Sequence, residues 1–260
     1  MSGYELVKQA GSAGAIITGL DLRAPADDEL VARLRSDLVE HLVICLRGQA
    51  DMTPDDQVAF ARRWGTIVPH PYVEPIEGHP EMIRIYDPNP LTETWHADFT
   101  YERNPPAISM LLARVIPAYG GDTMFSNAYR VFDDLSDGLK DALRGMRALH
   151  QGTELAMSKG LSLEDITTVH PVVARHPETG RELLNVNGAY VKHLDGWTVE
   201  ESDVLLSFIY DRFAHPEYTY RHHWRVGDLL IWDNRCVQHR AVADTDGQQR
   251  DLHRVTVALD

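Results

Sequence analysis

The stretch TWHADFTY, residues 94–101, sets an imidazole and a carboxylate two positions apart inside a run of aromatic and β-branched residues. Successive side chains of a strand point to opposite faces, so His96 and Asp98 share one face if the stretch is extended. Burying both there without partners costs several kcal/mol, which leaves three ways of satisfying them. They hydrogen-bond to one another, they lie in solvent, or they hold a metal ion. A His-x-Asp pattern alone is short enough to arise often by chance, so the choice depends on what accompanies it.

Two further clusters accompany it. In GDLLIWDNRCVQHRAV (227–242) an apolar strand runs into a polar turn, and His239 stands at the start of the next segment. A His-x-Asp pair and one distant histidine make up a two-histidine, one-carboxylate facial triad, which leaves adjacent positions of Fe(II) open. Zinc accepts the same three ligands with one open position, so the triad does not by itself name the metal. In QRDLHRVTV (249–257), Arg250 and Arg254 lie four apart, and Arg254 opens an otherwise apolar strand. A guanidinium there calls for a carboxylate or sulfo group, supplied by a bound anion or by one of the chain's many Asp and Glu residues. Other histidines, among them His41, His79, His150, His215 and His222, read as surface or hydrogen-bonded residues.

A chain of 260 residues can bury a sizeable core, and no repeat or Gly/Ser-rich linker divides it, so residues 1–260 read as one domain. The 25 Lys and Arg against 39 Asp and Glu leave a formal charge of −14. That field argues against nucleic acid and anionic membranes as partners, though not against a small anionic substrate. The N-terminus lacks the charged head and apolar block of a secretory signal, and no apolar run is long enough to span a bilayer. Cys45 and Cys236 sit in apolar runs and read as buried thiols of a reducing compartment, so a cytoplasmic protein is expected.

Periodicity supplies a coarse map. AGAIITGLDL (13–22) reads as an early strand. Leu30, Val31, Leu34 and Leu38 form a stripe that predicts a helix over 28–41, and LVICLRG (42–48) predicts a strand after it. Thr53 and Pro54 read as the N-cap and first residue of a helix carrying Val58, Phe60, Ala61 and Trp64. Beyond His96 the pattern turns to short strands, at 107–115, 168–176, 182–187, 218–224, 228–234 and 254–259, with a turn around Gly180. Two helices interrupt them, one over about 136–147 and one opened by the capping box of Thr198 and Glu201. The fold class is therefore mainly β with flanking helices, a sandwich or jelly roll. The polar segment ELAMSKGLSLED (154–165) reads either as a lid or as an inert surface loop.

With these motifs in order, together with PAYGGDTMFSN (117–127) and HPVVARHPETGRELLNVN (170–187), the chain resembles the taurine and 2,4-dichlorophenoxyacetate dioxygenases, which depend on Fe(II) and 2-oxoglutarate. The resemblance spans nearly the whole chain and implies a cupin-like double-stranded β-helix. It implies iron on His96, Asp98 and His239, with Thr123 and Arg250 holding the distal carboxylate of 2-oxoglutarate. Arg254 then lies near the metal-bound end and the substrate anion. The implied reaction consumes dioxygen, hydroxylates the substrate and releases succinate and CO2; the presence of Asp98 favours hydroxylation over the halogenation of relatives that lack this carboxylate. His70 matches the family histidine that holds a sulfonate, and Tyr72, Phe99, Tyr101 and Tyr190 are expected around the substrate. Thr92 in place of an asparagine, Val73 in place of a tyrosine and the bulk of Phe99 depart from taurine dioxygenase itself. The expected substrate is thus a small carboxylate, sulfonate, sulfate ester or specialised metabolite, and the expected assembly is a homodimer or tetramer. The alternatives are a zinc hydrolase on the same triad and a catalytically inactive, cupin-like binding protein.

Overall fold

The computed structural model describes residues 3–86 and 93–259, so Thr92 lies outside the described residues. The central strands of its largest sheet are apolar at nearly every position because both faces of the sheet are covered. Along Ile108–Val115, Leu111 and Ala113 enter one core while Met110 and Leu112 enter the other. Leu230 and Trp232 alternate in the same way with Leu229 and Ile231. The order across this sheet is Glu5–Lys8, Ala15–Thr18, Val43–Leu46, Leu229–Asp233, Ile108–Val115, Asp251–Ala258, His79–Tyr86 and Pro75–Ile76, with Thr66–Ile67 also paired to Asp251–Ala258. Ala15–Thr18 and Val43–Leu46 run parallel, joined through the helix Asp28–His41; the other pairs are antiparallel.

The outer core is closed by the helices Asp28–His41 and Pro54–Arg62 through Leu34, Leu38, Val58 and Phe60. The inner core lies between the large sheet and a smaller antiparallel one, in which Thr123–Asn127 is flanked by Thr219–His222 and Val237–Ala241. Phe125 of the small sheet packs on Trp232 of the large one at 5.5 Å. Two sheets closed on each other in this way form the jelly roll expected from the sequence.

The local signals hold where capping chemistry carries them. The predicted helix at 28–41 is Asp28–His41, capped by Asp27. Thr53 and Thr198 each complete a capping box, with Asp56 and Glu201 respectively. Trp64 is buried but lies just past the end of its helix at Arg62.

Other expectations are corrected. The helix expected to 147 ends at Arg144, and Arg147–Gln151 is a strand between Thr167–Pro171 and Val191–Leu194. The stretch 168–176 is two strands in different sheets: proline has no N–H to extend the ladder at Pro171, and Val173–Arg175 turns away to pair with Glu182–Leu184. That hairpin turns through Gly180, whose φ of 69° suits glycine. Two helices, Ala128–Asp133 and Thr153–Lys159, are too short for periodicity to have announced them. Both cysteines are buried and free, and among the described residues no helix is long and apolar enough to cross a membrane.

Candidate active site

TWHADFTY is not a strand. His96 makes a single antiparallel bridge to His239, in which each backbone N–H donates to the other's carbonyl, at 3.1 and 2.7 Å. Asp98 opens a turn, and Phe99 adopts a left-handed φ of 59°, which costs a bulky L-residue roughly 1–2 kcal/mol. The imidazole and the carboxylate meet because the chain turns after His96, and not through strand pleating.

Of the three ways to satisfy that pair, two fail. His96 and Asp98 are each only 4% exposed, which rules out solvent. Asp98 Oδ1 stands 3.7 Å from Nε2 of His96 and 3.7 Å from Nε2 of His239, too far for a hydrogen bond to either. The three side chains nevertheless present ligand atoms within 4.8 Å of one another. His96 donates from Nδ1 to the Thr94 carbonyl at 2.8 Å, which fixes the tautomer and leaves Nε2 as a free lone pair. His239 Nδ1 is buried without a hydrogen-bond partner.

Asp98 Oδ2 points the other way. It accepts from Arg254 Nη2 at 2.5 Å and from Ser109 Oγ at 3.1 Å. The salt-bridge partner that the sequence called for at Arg254 is thus the triad's own carboxylate. Burial alone raises the Asp98 pKa, but Arg254 and the two imidazoles outweigh it and hold the group below the usual carboxylate range. Burial lowers both histidines, His239 to about 3 with help from His96. Two neutral imidazoles and one ionised carboxylate are the donor set of a divalent transition metal, so the residues fit the metal that the sequence implied.

All the site residues expected from the sequence except Tyr72 line one cavity of about 350 Å³. Arg250, the last residue before the strand Asp251–Ala258, is buried and donates from Nη2 to Thr123 Oγ1 at 3.0 Å; Trp224 Nε1 donates to the same oxygen at 3.1 Å. Arg254 projects from that strand, 5.6 Å from the Phe99 ring. His70 lies 4.9 Å from Phe99, and its Nδ1 accepts from the Tyr72 backbone N–H at 3.2 Å, which puts the ring proton on Nε2. Burial and Arg254 pull its pKa down to about 4. Burial also pushes Tyr101 and Tyr190 upward, so both stay neutral phenols.

Tyr72 is a correction: it lies outside the lining, packed with Phe99, Tyr101, Ala156 and Ile166, while Val73 lines the cavity. Sequence reasoning also missed Ser109, Trp224 and Asn234, neutral side chains with no periodicity to expose them. Two other buried clusters have metal-type residues, Cys45–His222–Asp228 and His176–Asp233–Cys236. Arg47 takes both carboxylate oxygens of Asp228 and Arg235 both of Asp233, whereas Arg254 takes only Oδ2 of Asp98, so these two clusters serve the fold.

A jelly roll that gathers two histidines and a carboxylate beside an arginine-lined cavity is the architecture of the alpha-ketoglutarate-dependent dioxygenases. The chain belongs to the family described as taurine catabolism dioxygenase TauD, TfdA family, whose profile matches residues 5–256. It is 33% identical to an alkylsulfatase of Acinetobacter baylyi, over 98% of this chain and 84% of that protein. It is 31% identical to an alpha-ketoglutarate-dependent sulfate ester dioxygenase of Pseudomonas putida, over 96% of this chain and 87% of that one. A crystal structure of a taurine dioxygenase from Burkholderia xenovorans superposes with a TM-score of 0.88 at 32% identity, covering 99% of this chain and 90% of the other.

Proposed function

We propose that the protein is an Fe(II)- and 2-oxoglutarate-dependent dioxygenase that hydroxylates a small organic anion. The observation that carries this is the two imidazoles and one carboxylate with ligand atoms within 4.8 Å of one another, on the wall of a cavity that also holds Arg250 and Arg254. His96, Asp98 and His239 hold the iron. When bound there, Fe(II) with 2-oxoglutarate and dioxygen supplies oxidation of a C–H bond coupled to decarboxylation to succinate and CO2.

The chain's own part is binding, orientation and dryness. Arg250, steadied by Thr123, takes the distal carboxylate of 2-oxoglutarate, a charge-assisted contact in a buried place. Arg254 and the Nε2–H of neutral His70 receive the substrate's anionic group, and Phe99, Tyr101 and Tyr190 form an apolar wall against its body. Leu155, Ala156 and Leu161 of the expected lid pack against that wall, and the segment 154–165 shields the site from water. The names of the relatives support sulfate esters and sulfonates as the first compounds to try. A zinc hydrolase on the same triad gives no reason for Thr123 and Arg250 to line the cavity, and family membership favours the oxygenase over that and over an inactive binding protein. The enzyme works as one domain in the cytoplasm, as a dimer or tetramer; exposed Val204 and Phe208 on the helix Val199–Phe213 support the assembly.

The test is an anaerobic titration of metal-free protein with Fe(II) and 2-oxoglutarate, following the visible charge-transfer band. A band present in the native protein and lost in His96→Ala is the expected result. A folded native protein that gives no band overturns the proposal. With the band in hand, succinate release over a panel of alkyl sulfates, sulfonates and carboxylates, with neutral and cationic compounds beside them, identifies the substrate class.

A further inference from the structure

The two histidines of the triad hold each other in place through their backbone bridge, but Asp98 lies beyond that bridge, in a turn with no strand alongside. Its backbone N–H and C=O are buried and need partners. A single side chain supplies both. Asn234 Oδ1 accepts from the Asp98 N–H at 2.8 Å, and Asn234 Nδ2 donates to the Asp98 carbonyl at 3.0 Å. The same Nδ2 donates to the Pro106 carbonyl at 3.0 Å, and the Asn234 backbone N–H donates to Ala107 O at 2.8 Å. The network fixes which end of the amide is oxygen, because a flipped amide would set its donors against the Asp98 N–H.

We propose that Asn234 is a positioning residue for the metal: its amide stands in for the missing strand and fixes the backbone from which the Asp98 carboxylate is presented. This rests on the reading of His96, Asp98 and His239 as metal ligands. Asn234 is the first residue after the strand Leu229–Asp233, and the strand that carries His239 begins at Val237. The element that delivers one ligand therefore also clamps another. The clamp bears on the residue just before Phe99, whose left-handed backbone would relax if Asp98 were free to turn. On the side-chain end, Ser109 and Arg254 hold Oδ2, so Oδ1 is left facing the imidazoles.

Asn234→Asp tests this with almost no change in shape. It keeps the acceptor for the Asp98 N–H but replaces the donor with an oxygen opposite two carbonyls. Co(II), added to metal-free protein without any substrate, is the probe, and its visible d–d absorption reports both affinity and ligand geometry. A purely structural asparagine would alter melting but leave that spectrum unchanged. The expected result is a folded variant, by circular dichroism, whose Co(II) affinity falls about ten- to a hundredfold, with an altered band shape. Native affinity and an unchanged spectrum overturn the proposal. Where Asn234→Asp does not fold, amide hydrogen exchange of native metal-free protein decides: slow exchange at the Asp98 N–H supports the clamp, and exchange at the rate of an exposed amide overturns it. A native protein that binds Co(II) no better than His96→Ala removes the metal reading itself, and this inference with it.

Discussion

Arg250 is buried, and its guanidinium meets Thr123 at 3.0 Å and the face of Trp224 at 5.7 Å. Removing one member of a buried, hydrogen-bonded charge pair costs about 3–5 kcal/mol, or roughly a hundred- to a few-thousand-fold in affinity. Arg250→Ala is therefore expected to weaken 2-oxoglutarate binding on that scale, read by titrating the charge-transfer band; unchanged affinity would contradict the assignment. His70 makes a different prediction. Its pKa is pulled down to about 4 by burial and Arg254, so it is a neutral Nε2–H donor throughout the working range. Substrate KM is expected to show no His70 inflection between pH 5 and 8 and to rise in His70→Ala. An inflection near 6.5 that disappears in His70→Gln would show that the histidine works as a cation instead. The role of Arg250 came from the family resemblance, whereas Arg254 was legible in the sequence because a guanidinium at the head of an apolar strand demands a partner. Asn234 was not, although its segment was in view: an asparagine after a strand reads as a turn residue, and only the fold brings Asp98 against it.

At the scale of the element, local chemistry was the readable part. The capping box of Thr198 and Glu201 is formed with both bonds present. Thr198→Ala is expected to cost about 1 kcal/mol of stability, seen by chemical denaturation, with 2-oxoglutarate binding unchanged. The turn ahead of Thr123 is more demanding. Gly120 has a φ of 73°, and a Cβ there would lie 2.1 Å from the Asp244 carbonyl oxygen. Gly120→Ala is expected to destabilise by more than about 1 kcal/mol and also to weaken 2-oxoglutarate binding, since the turn leads directly into the strand that carries Thr123. A variant with native stability would show that the backbone relaxes at no cost. TWHADFTY hides its shape for the opposite reason: its aromatic and β-branched composition is that of a strand, and the turn at Asp98 is held from outside by the Asn234 amide. The double role of 168–176 was hidden in the same way, since a switch between sheets at Pro171 leaves no trace in a pattern of apolar residues.

For the whole molecule, the sheet order lay beyond what composition and spacing could supply. Leu229–Asp233 lies between Val43–Leu46 and Ile108–Val115, partners far away along the chain. Resemblance carried that part, while periodicity gave only the strands. The buried charges set the pH response of the metal-free protein. Burial lowers His96, His150 and His239 in the fold, the last two to about 3, whereas the unfolded chain protonates its histidines near 6.5. Between those values the unfolded state binds more protons, so stability falls as pH drops from about 6.5 toward 3. Asp228 is lowered to about 2 despite burial, by His222 and Arg47, and the stability it contributes is lost as pH falls from about 4 toward 2. Thermal melts of the metal-free protein over this range are expected to decline steadily below pH 6.5, and a rise there would contradict the site's electrostatics. The two buried cysteines bear on durability. Burial pushes both thiols well above their ordinary range, so neither forms appreciable thiolate, the species that oxidants and alkylating reagents attack. A thiol-reactive dye is expected to label the native protein at neither position and the unfolded chain at both. A catalyst that activates dioxygen thus keeps both of its thiols out of reach of its own stray oxidants.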